Sequence, residues 1–248
     1  MNDKILKIFA ENFFNTFHNG SWNYDLRYSI SDLSIEDSYN VQDLVTKKKI
    51  SGGERVIGYK VGCTSSAIQT QFGLNEPIYG RLFWPHIFSG NKKFNLNRFY
   101  NCAIEPEMVL KIGKDLKGDN LSDKDLVNAI EYVSPGIEIH NLKFYSMPPT
   151  LQELICSNGI HAALAVGDIK ISPFNLSFES ELFKVYKEDK LITKAKASEI
   201  MGGPLNSLRW LAGKLRERNE ILSAGSLVIP GSPVKLIDIT EDTKLKIY

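Results

Sequence analysis

The segment NCAIEPEMVL, residues 101 to 110, places Glu105 and Glu107 on either side of Pro106 in an otherwise apolar run. In an extended strand residues i and i+2 share a face, so both carboxylates point the same way. Two ionised carboxylates about 4 Å apart repel by roughly 4 kcal/mol at an effective dielectric constant near 20. Only a shared proton, a nearby cation or open water makes this tolerable. Ala103, Ile104, Met108, Val109 and Leu110 argue against open water on at least one face. Pro106 cannot donate a ladder hydrogen bond, which predicts a strand that is at an edge or bulged there. Glu138, in PGIEIHN, is the third carboxylate: on a strand it shares a face with His140 while Ile137 and Ile139 face the core. Three oxygen ligands on two strands, with water completing the shell, suit Mg²⁺ or Mn²⁺ better than zinc. The same pattern also fits the wet faces of half-exposed strands, and residue types alone leave both readings open.

Lys60 lies mid-strand in IGYKVGC, two residues from Gly58 and from Gly62. Glycines so placed open space where a ligand approaches the backbone. Near a desolvated metal site the lysine pKa could fall far enough for general-base work; a lysine on a solvated strand face has the same local sequence. Of the histidines, His140 could face the site beside Glu138, whereas His161, in SNGIHAAL, reads as a semi-buried residue satisfied by a neighbour. Cys63, Cys102 and Cys156 match no zinc spacing, and their odd number predicts a reducing, cytoplasmic setting rather than a disulfide scaffold. No nucleophile elbow, P-loop or dinucleotide fingerprint is present.

The elements that must position these groups follow from periodicity. Ile5, Ile8, Phe9, Phe13 and Phe17 form a helical stripe, and Ser34 predicts the cap of a second helix. RVIGYKVGCT and AIEPEMVLKIG read as strands, and LNEPIYGRLFWP as a loop or broken strand. SDKDLVNAIEYV reads as a helix capped by Ser122, GIEIHNLKF as a strand, and FESELFKVYKEDKLITKAKA as a hairpin turning near Glu188 and Asp189. GGPLNSLRWLAGKLRERNEIL is the clearest helix, and SLVIPGSPVKLIDI closes the chain with strands. With no repeat or evident linker, residues 1–248 read as a single α+β domain, with a helical portion over 1–50 and a mixed β core over 51–248. Thirty basic residues against 29 acidic ones give a formal charge of +1, which offers no general pull toward nucleic acid or an acidic membrane. No stretch approaches the roughly 20 apolar residues that span a bilayer.

The motifs GYKVGCTS, EPIYGRLF, AIEPEMVLKIGKDL, PGIEIHN and GGPLNSLRWLAGKL, in that order, resemble the 2-keto-4-pentenoate hydratase and 4-oxalocrotonate decarboxylase group of the fumarylacetoacetate hydrolase superfamily. The resemblance covers most of the chain. It implies a mixed β-roll, Mg²⁺ or Mn²⁺ held by Glu105, Glu107 and Glu138, Lys60 as acid/base, a small 2-oxo acid or 2-hydroxydienoate substrate, and lyase chemistry by hydration or decarboxylation. It also implies self-association and leaves room for a complex with a related enzyme. An acylpyruvate C–C hydrolase and a non-catalytic partner subunit are the alternatives. Hydratases of the group commonly carry an acidic residue where this chain has Ile78, and the apolar residue is closer to the decarboxylase branch. Cys63 replaces a usual aliphatic residue, and EIHN departs from the expected EIxDS, so Cys63, Ile78 and His140 are expected to contact substrate. Arg81 is the candidate for a distal anion contact, with a surface arginine the alternative.

Overall fold

The computed structural model describes residues 1–20, 22–65, 69, 75–117, 120–141 and 149–248. Three helices open the chain: α1 (Asp3–Asn19), α2 (Arg27–Ser31) and α3 (Ile35–Ser51). Ser34 caps α3 by accepting the Asp37 amide at 3.0 Å, as its position predicts. The first helix buries Leu6, Phe9, Ala10 and Phe13 against α3 and against Ile78 of the sheet. At the end of α3, Lys49 is buried with its ammonium 3.2 Å from the Phe17 ring centroid and 3.2 Å from Glu54 Oε2.

Eight strands of the described residues form one mixed sheet in the order β2-β1-β9-β4-β5-β6-β3, with β10 added beside β4. They are β1 (Arg55–Gly62), β2 (Ile78–Trp84), β3 (Ile87–Ser89), β4 (Cys102–Ile112), β5 (Ile130–Asn141), β6 (His161–Val166), β9 (Leu227–Ile229) and β10 (Ile237–Asp238). The β1–β9 and β3–β6 pairs are parallel and the others antiparallel, and the sheet curls into the expected roll. A separate three-stranded sheet holds β7 (Leu182–Lys187), β8 (Lys190–Lys196) and β11 (Leu245–Ile247). Its hairpin turns at Glu188 and Asp189, both at positive φ, as a primed turn requires. The remaining helices are α4 (Asp123–Ala129), α5 (Leu151–Cys156) and α6 (Pro204–Glu217), and α6 buries Leu208, Leu211 and Leu215 against the sheet.

Three expectations change. The segment over Ile78–Trp84 is a regular, almost fully buried strand paired with β1, not a broken one. The helix capped by Ser122 ends at Ala129, because Ile130, Tyr132 and Val133 are β-branched or aromatic and continue the β5 ladder with β4. Pro106 sits in register opposite Ile137 with no bulge. It falls where the other edge of β4 is open, between Ala103–Ile104, paired with β10, and Leu110–Lys111, paired with β9. The end of the strand predicted over 136–144 and part of the turn over 114–120 lie outside the described residues.

Candidate metal centre and active site

The site forms where β9 stops. That strand is three residues long, and its pairing with β1 ends at Lys60 and Ile229. Glu105 lies directly opposite Glu138 across the β4–β5 ladder, and Glu107 lies one pair along on the same face. Lys60, on β1, reaches across to place Nζ 2.9 Å from Glu138 Oε1, and it also donates to the Gly159 carbonyl at 3.2 Å. Gly231, just past β9, donates its amide to Glu107 Oε2 at 3.2 Å. Its φ is +115°, and a Cβ there would meet Thr64 at 2.5 Å, so glycine is required where this clamp is made.

His140 Nε2 lies 3.0 Å from Glu105 Oε2 and 3.5 Å from Glu138 Oε2. His161 Nδ1 lies 2.8 Å from Glu138 Oε1. Glu107 and Glu138 are buried, yet Glu107 Oε1 and Glu138 Oε2 have no hydrogen-bond partner. Ligand atoms of Glu105, Glu138 and His140 lie within 4.8 Å of one another, close enough to share one ion. Two buried carboxylates, a part-exposed third and one ammonium leave an excess of negative charge, and two buried carboxylate oxygens have no partner. The residues therefore fit a hard divalent metal.

The electrostatics follow from that excess. Burial raises the Glu107 carboxyl well above the usual range, and Glu138 and Glu105 push it further. Burial pushes Glu138 upward too, but Lys60 and the two imidazoles outweigh it and hold the carboxyl below the usual range. Burial alone would lower the Lys60 ammonium; Glu138, Glu105 and Glu107 override it and raise the pKa. With the three carboxylates unneutralised, Lys60 is a held cation. Burial drops His161 to about 4, leaving it neutral.

Of the other residues expected at the site, Ile78 is there. It is buried, and a Cβ on Gly62 would stand 3.5 Å from Ile78 Cγ1 and 3.7 Å from Lys60 Nζ. Cys63 packs against the helical cluster around Ile78 in a left-handed backbone conformation, and burial pushes its thiol up to about 11, so it stays protonated. Arg81 is not brought to the site. It pairs with Tyr59 in the β1–β2 ladder, so it points to the face opposite Lys60, where Asp43 Oδ1 (2.8 Å) and Glu220 Oε1 (2.7 Å) take its guanidinium. Gly58 serves the sheet: a Cβ there would stand 1.9 Å from the Leu227 carbonyl oxygen of β9. Sequence reasoning missed Gly159 and Gly231, whose only signals are glycines after Asn158 and Pro230, and it gave His161 no place beside Glu138.

No family model matches the chain. Curated relatives do. The 2-oxo-hept-4-ene-1,7-dioate hydratase of Escherichia coli is 30% identical over 207 residues, covering 81% of this chain and 78% of that protein. The 2-keto-4-pentenoate hydratase of Paraburkholderia xenovorans is 26% identical over 223 residues, 90% of this chain and 83% of that one. Among solved structures, 4-oxalocrotonate decarboxylase from Pseudomonas putida G7, complexed with magnesium and adipate, superposes with a TM-score of 0.94 at 21% identity, covering 100% of this chain and 94% of the other. Fumarylpyruvate hydrolase from Pseudomonas aeruginosa, in complex with Mn²⁺ and pyruvate, gives 0.57 at 14% identity, covering 77% and 83%. The fold is that of the fumarylacetoacetate hydrolase superfamily, and the chain belongs to its 2-keto-4-pentenoate hydratase and 4-oxalocrotonate decarboxylase family. It is a lyase of that type.

Proposed function

We propose that the protein is a divalent-metal-dependent lyase that releases CO₂ from a small 2-oxo acid whose second carboxylate sits on the saturated carbon at the far end of an enone, so that the broken bond feeds into the conjugated keto group. Glu105, Glu107 and Glu138 would hold Mg²⁺ or Mn²⁺, with His140 beside them. The bound cation would supply positive charge to the substrate's 2-oxo acid end as negative charge develops on the C2 oxygen.

The chain's own residues account for the rest. Lys60 presents its ammonium at a fixed place, held by Glu138 and the Gly159 carbonyl. When the bond to the departing carboxylate breaks, its electron pair delocalises through the conjugated system to the C2 oxygen, and the Lys60 proton moves to that oxygen, leaving a 2-hydroxydienoate and CO₂. Ile78 puts an apolar wall beside Lys60. An apolar wall disfavours a solvated carboxylate over neutral CO₂ and offers no base for activating water, which supports decarboxylation over hydration.

The observation that carries this reading is the pair of bare oxygens, Glu107 Oε1 and Glu138 Oε2, buried in a cluster with more carboxylates than cations. Calorimetric titration of Mg²⁺ and Mn²⁺, with and without oxalate as an enolate mimic, tests it on wild type and Glu107→Ala. Binding that tightens with oxalate and is lost in the variant is expected, followed by CO₂ release in a screen of 2-oxo dicarboxylates. Absence of metal binding in the wild type would sink the mechanism, and hydration without CO₂ release would reassign Ile78.

A further inference from the structure

Glu138 is gripped on one oxygen only. Its Oε1 receives both Lys60 Nζ at 2.9 Å and His161 Nδ1 at 2.8 Å, whereas Oε2 receives no hydrogen bond and lies on the side of Glu105 and His140. An ionised carboxylate can only accept, so Nδ1 of His161 carries the proton; a neutral imidazole has one N–H, which leaves Nε2 bare. That Nε2 is buried without a partner. His161 also lines a cavity of about 20 Å³, room for one water, beside Lys49, Ser157 and Asn158.

The backbone is bent to put the ring there. In a regular strand His161 and Leu164, three residues apart, would face opposite ways. Leu164 is paired with Glu138, but the ladder shifts register between Ile139 and His140, so that His161 pairs with His140 and comes round to the Glu138 face. Just before it, Asn158, Gly159 and Ile160 all have φ near +60° (61°, 63° and 56°). A β-branched residue such as Ile160 is an outlier in that region, and such strain persists where the surroundings over-determine it. The same three residues deliver the Gly159 carbonyl to Lys60. One bulge and one strained turn therefore serve a single carboxylate.

We propose that His161 is a positioning residue for the lyase site: its Nδ1–H fixes the rotation of the Glu138 carboxylate so that Oε2 points to the metal, and it keeps that grip while Lys60 transfers its proton. The inference rests on the metal-dependent reading above. It is tested by Mn²⁺ affinity, followed through the EPR signal of free Mn²⁺, in wild type, His161→Leu and His161→Asn, with kcat and KM measured alongside. Leucine removes the donor; asparagine places an amide N–H near the position of Nδ1. The expected result is Mn²⁺ affinity weakened about 10- to 100-fold in His161→Leu, a fall in kcat larger than the change in KM, and recovery of both in His161→Asn. Mn²⁺ affinity and kcat unchanged in His161→Leu would overturn the proposal and reduce His161 to packing. A wild type that binds no Mn²⁺ would overturn the metal-dependent reading itself, and this inference with it. Should the leucine variant fail to fold, ¹⁵N NMR of the wild-type imidazole decides: a protonated Nδ1 supports the assignment, and an Nε2–H tautomer overturns it.

Discussion

Two buried charge clusters lie on opposite faces of the β1–β2 ladder, and they are built differently. Around Arg81, two guanidiniums meet two carboxylates: Arg81 pairs with Asp43 and Glu220, and Arg218 pairs with Asp43 at 2.5 Å. Gln42 Oε1 accepts a further Arg81 N–H at 3.2 Å. Around Lys60, one ammonium faces three carboxylates, and two carboxylate oxygens stay bare. The first cluster is balanced and ties α3, β2 and the segment after α6 together. The second leaves negative charge uncompensated, to be relieved by a proton or a cation. Two clusters of similar composition thus separate into a structural and a functional one by whether their charges close.

The contrast can be broken by mutation. Lys60→Met and Glu138→Gln should each lower turnover by at least ~100-fold, the scale of a lost proton-transfer or metal-holding group; activity surviving in either would erase the functional half. Arg81→Leu should do the reverse. Losing the guanidinium leaves Glu220 without its cation and Asp43 with Arg218 alone, both part-exposed, so a cost of about 1–3 kcal/mol in urea unfolding is expected while Mn²⁺ affinity stays within a few-fold of wild type, and a variant as stable as wild type would show that the balanced cluster is not structural.

The one-to-one pair of Lys49 and Glu54 refines the comparison. Burial, against the pull of Glu54, lowers Lys49 from 10.5 to about 8. Between those values the unfolded chain binds more protons than the folded one, so this group makes stability rise with pH from about 8 to 10.5. A shift of that size sets a ceiling of about 3 kcal/mol. Measured as the difference between wild type and Lys49→Met, the rise should appear in unfolding free energies taken across that window, and a flat difference would contradict it. The smallest effect is expected from Glu107→Gln. Removing a like-charged neighbour of Glu138 should leave the metal-free protein about 1 kcal/mol more stable while weakening Mn²⁺ binding. A destabilised variant would mean that the Gly231 amide bond to the Glu107 carboxylate outweighs the relief of that repulsion.

Much of this was legible in the sequence because it rests on local rules. Alternation put Glu105 and Glu107 on one face, and Ser34 and Ser122 marked helix starts. What was hidden depends on which strand lies beside which. No local pattern says that β9 ends after three residues, or that Gly231 then meets Glu107. Lys60 reads as an acid/base candidate, but the surplus of carboxylates that raises its pKa comes from two other strands and is not visible in its local sequence. Arg81 beside a Pro-containing turn invites a substrate contact; strand register sends it to the other face. His161 escaped because a bulge inverts the parity on which face assignment depends.

The Arg81 clamp also bears on the order in which the chain can fold. Asp43 precedes it in sequence, but Glu220 follows it by 139 residues. At ~5–20 residues per second, synthesis of that interval occupies on the order of ten seconds. Throughout that time the N-terminal helices can meet β1 and β2, yet the guanidinium between them lacks one of its two carboxylates. β9, which lies between β1 and β4, comes from the same late segment. Completion of the face that carries Lys60 and Glu107 therefore waits for α6 and the residues just beyond it.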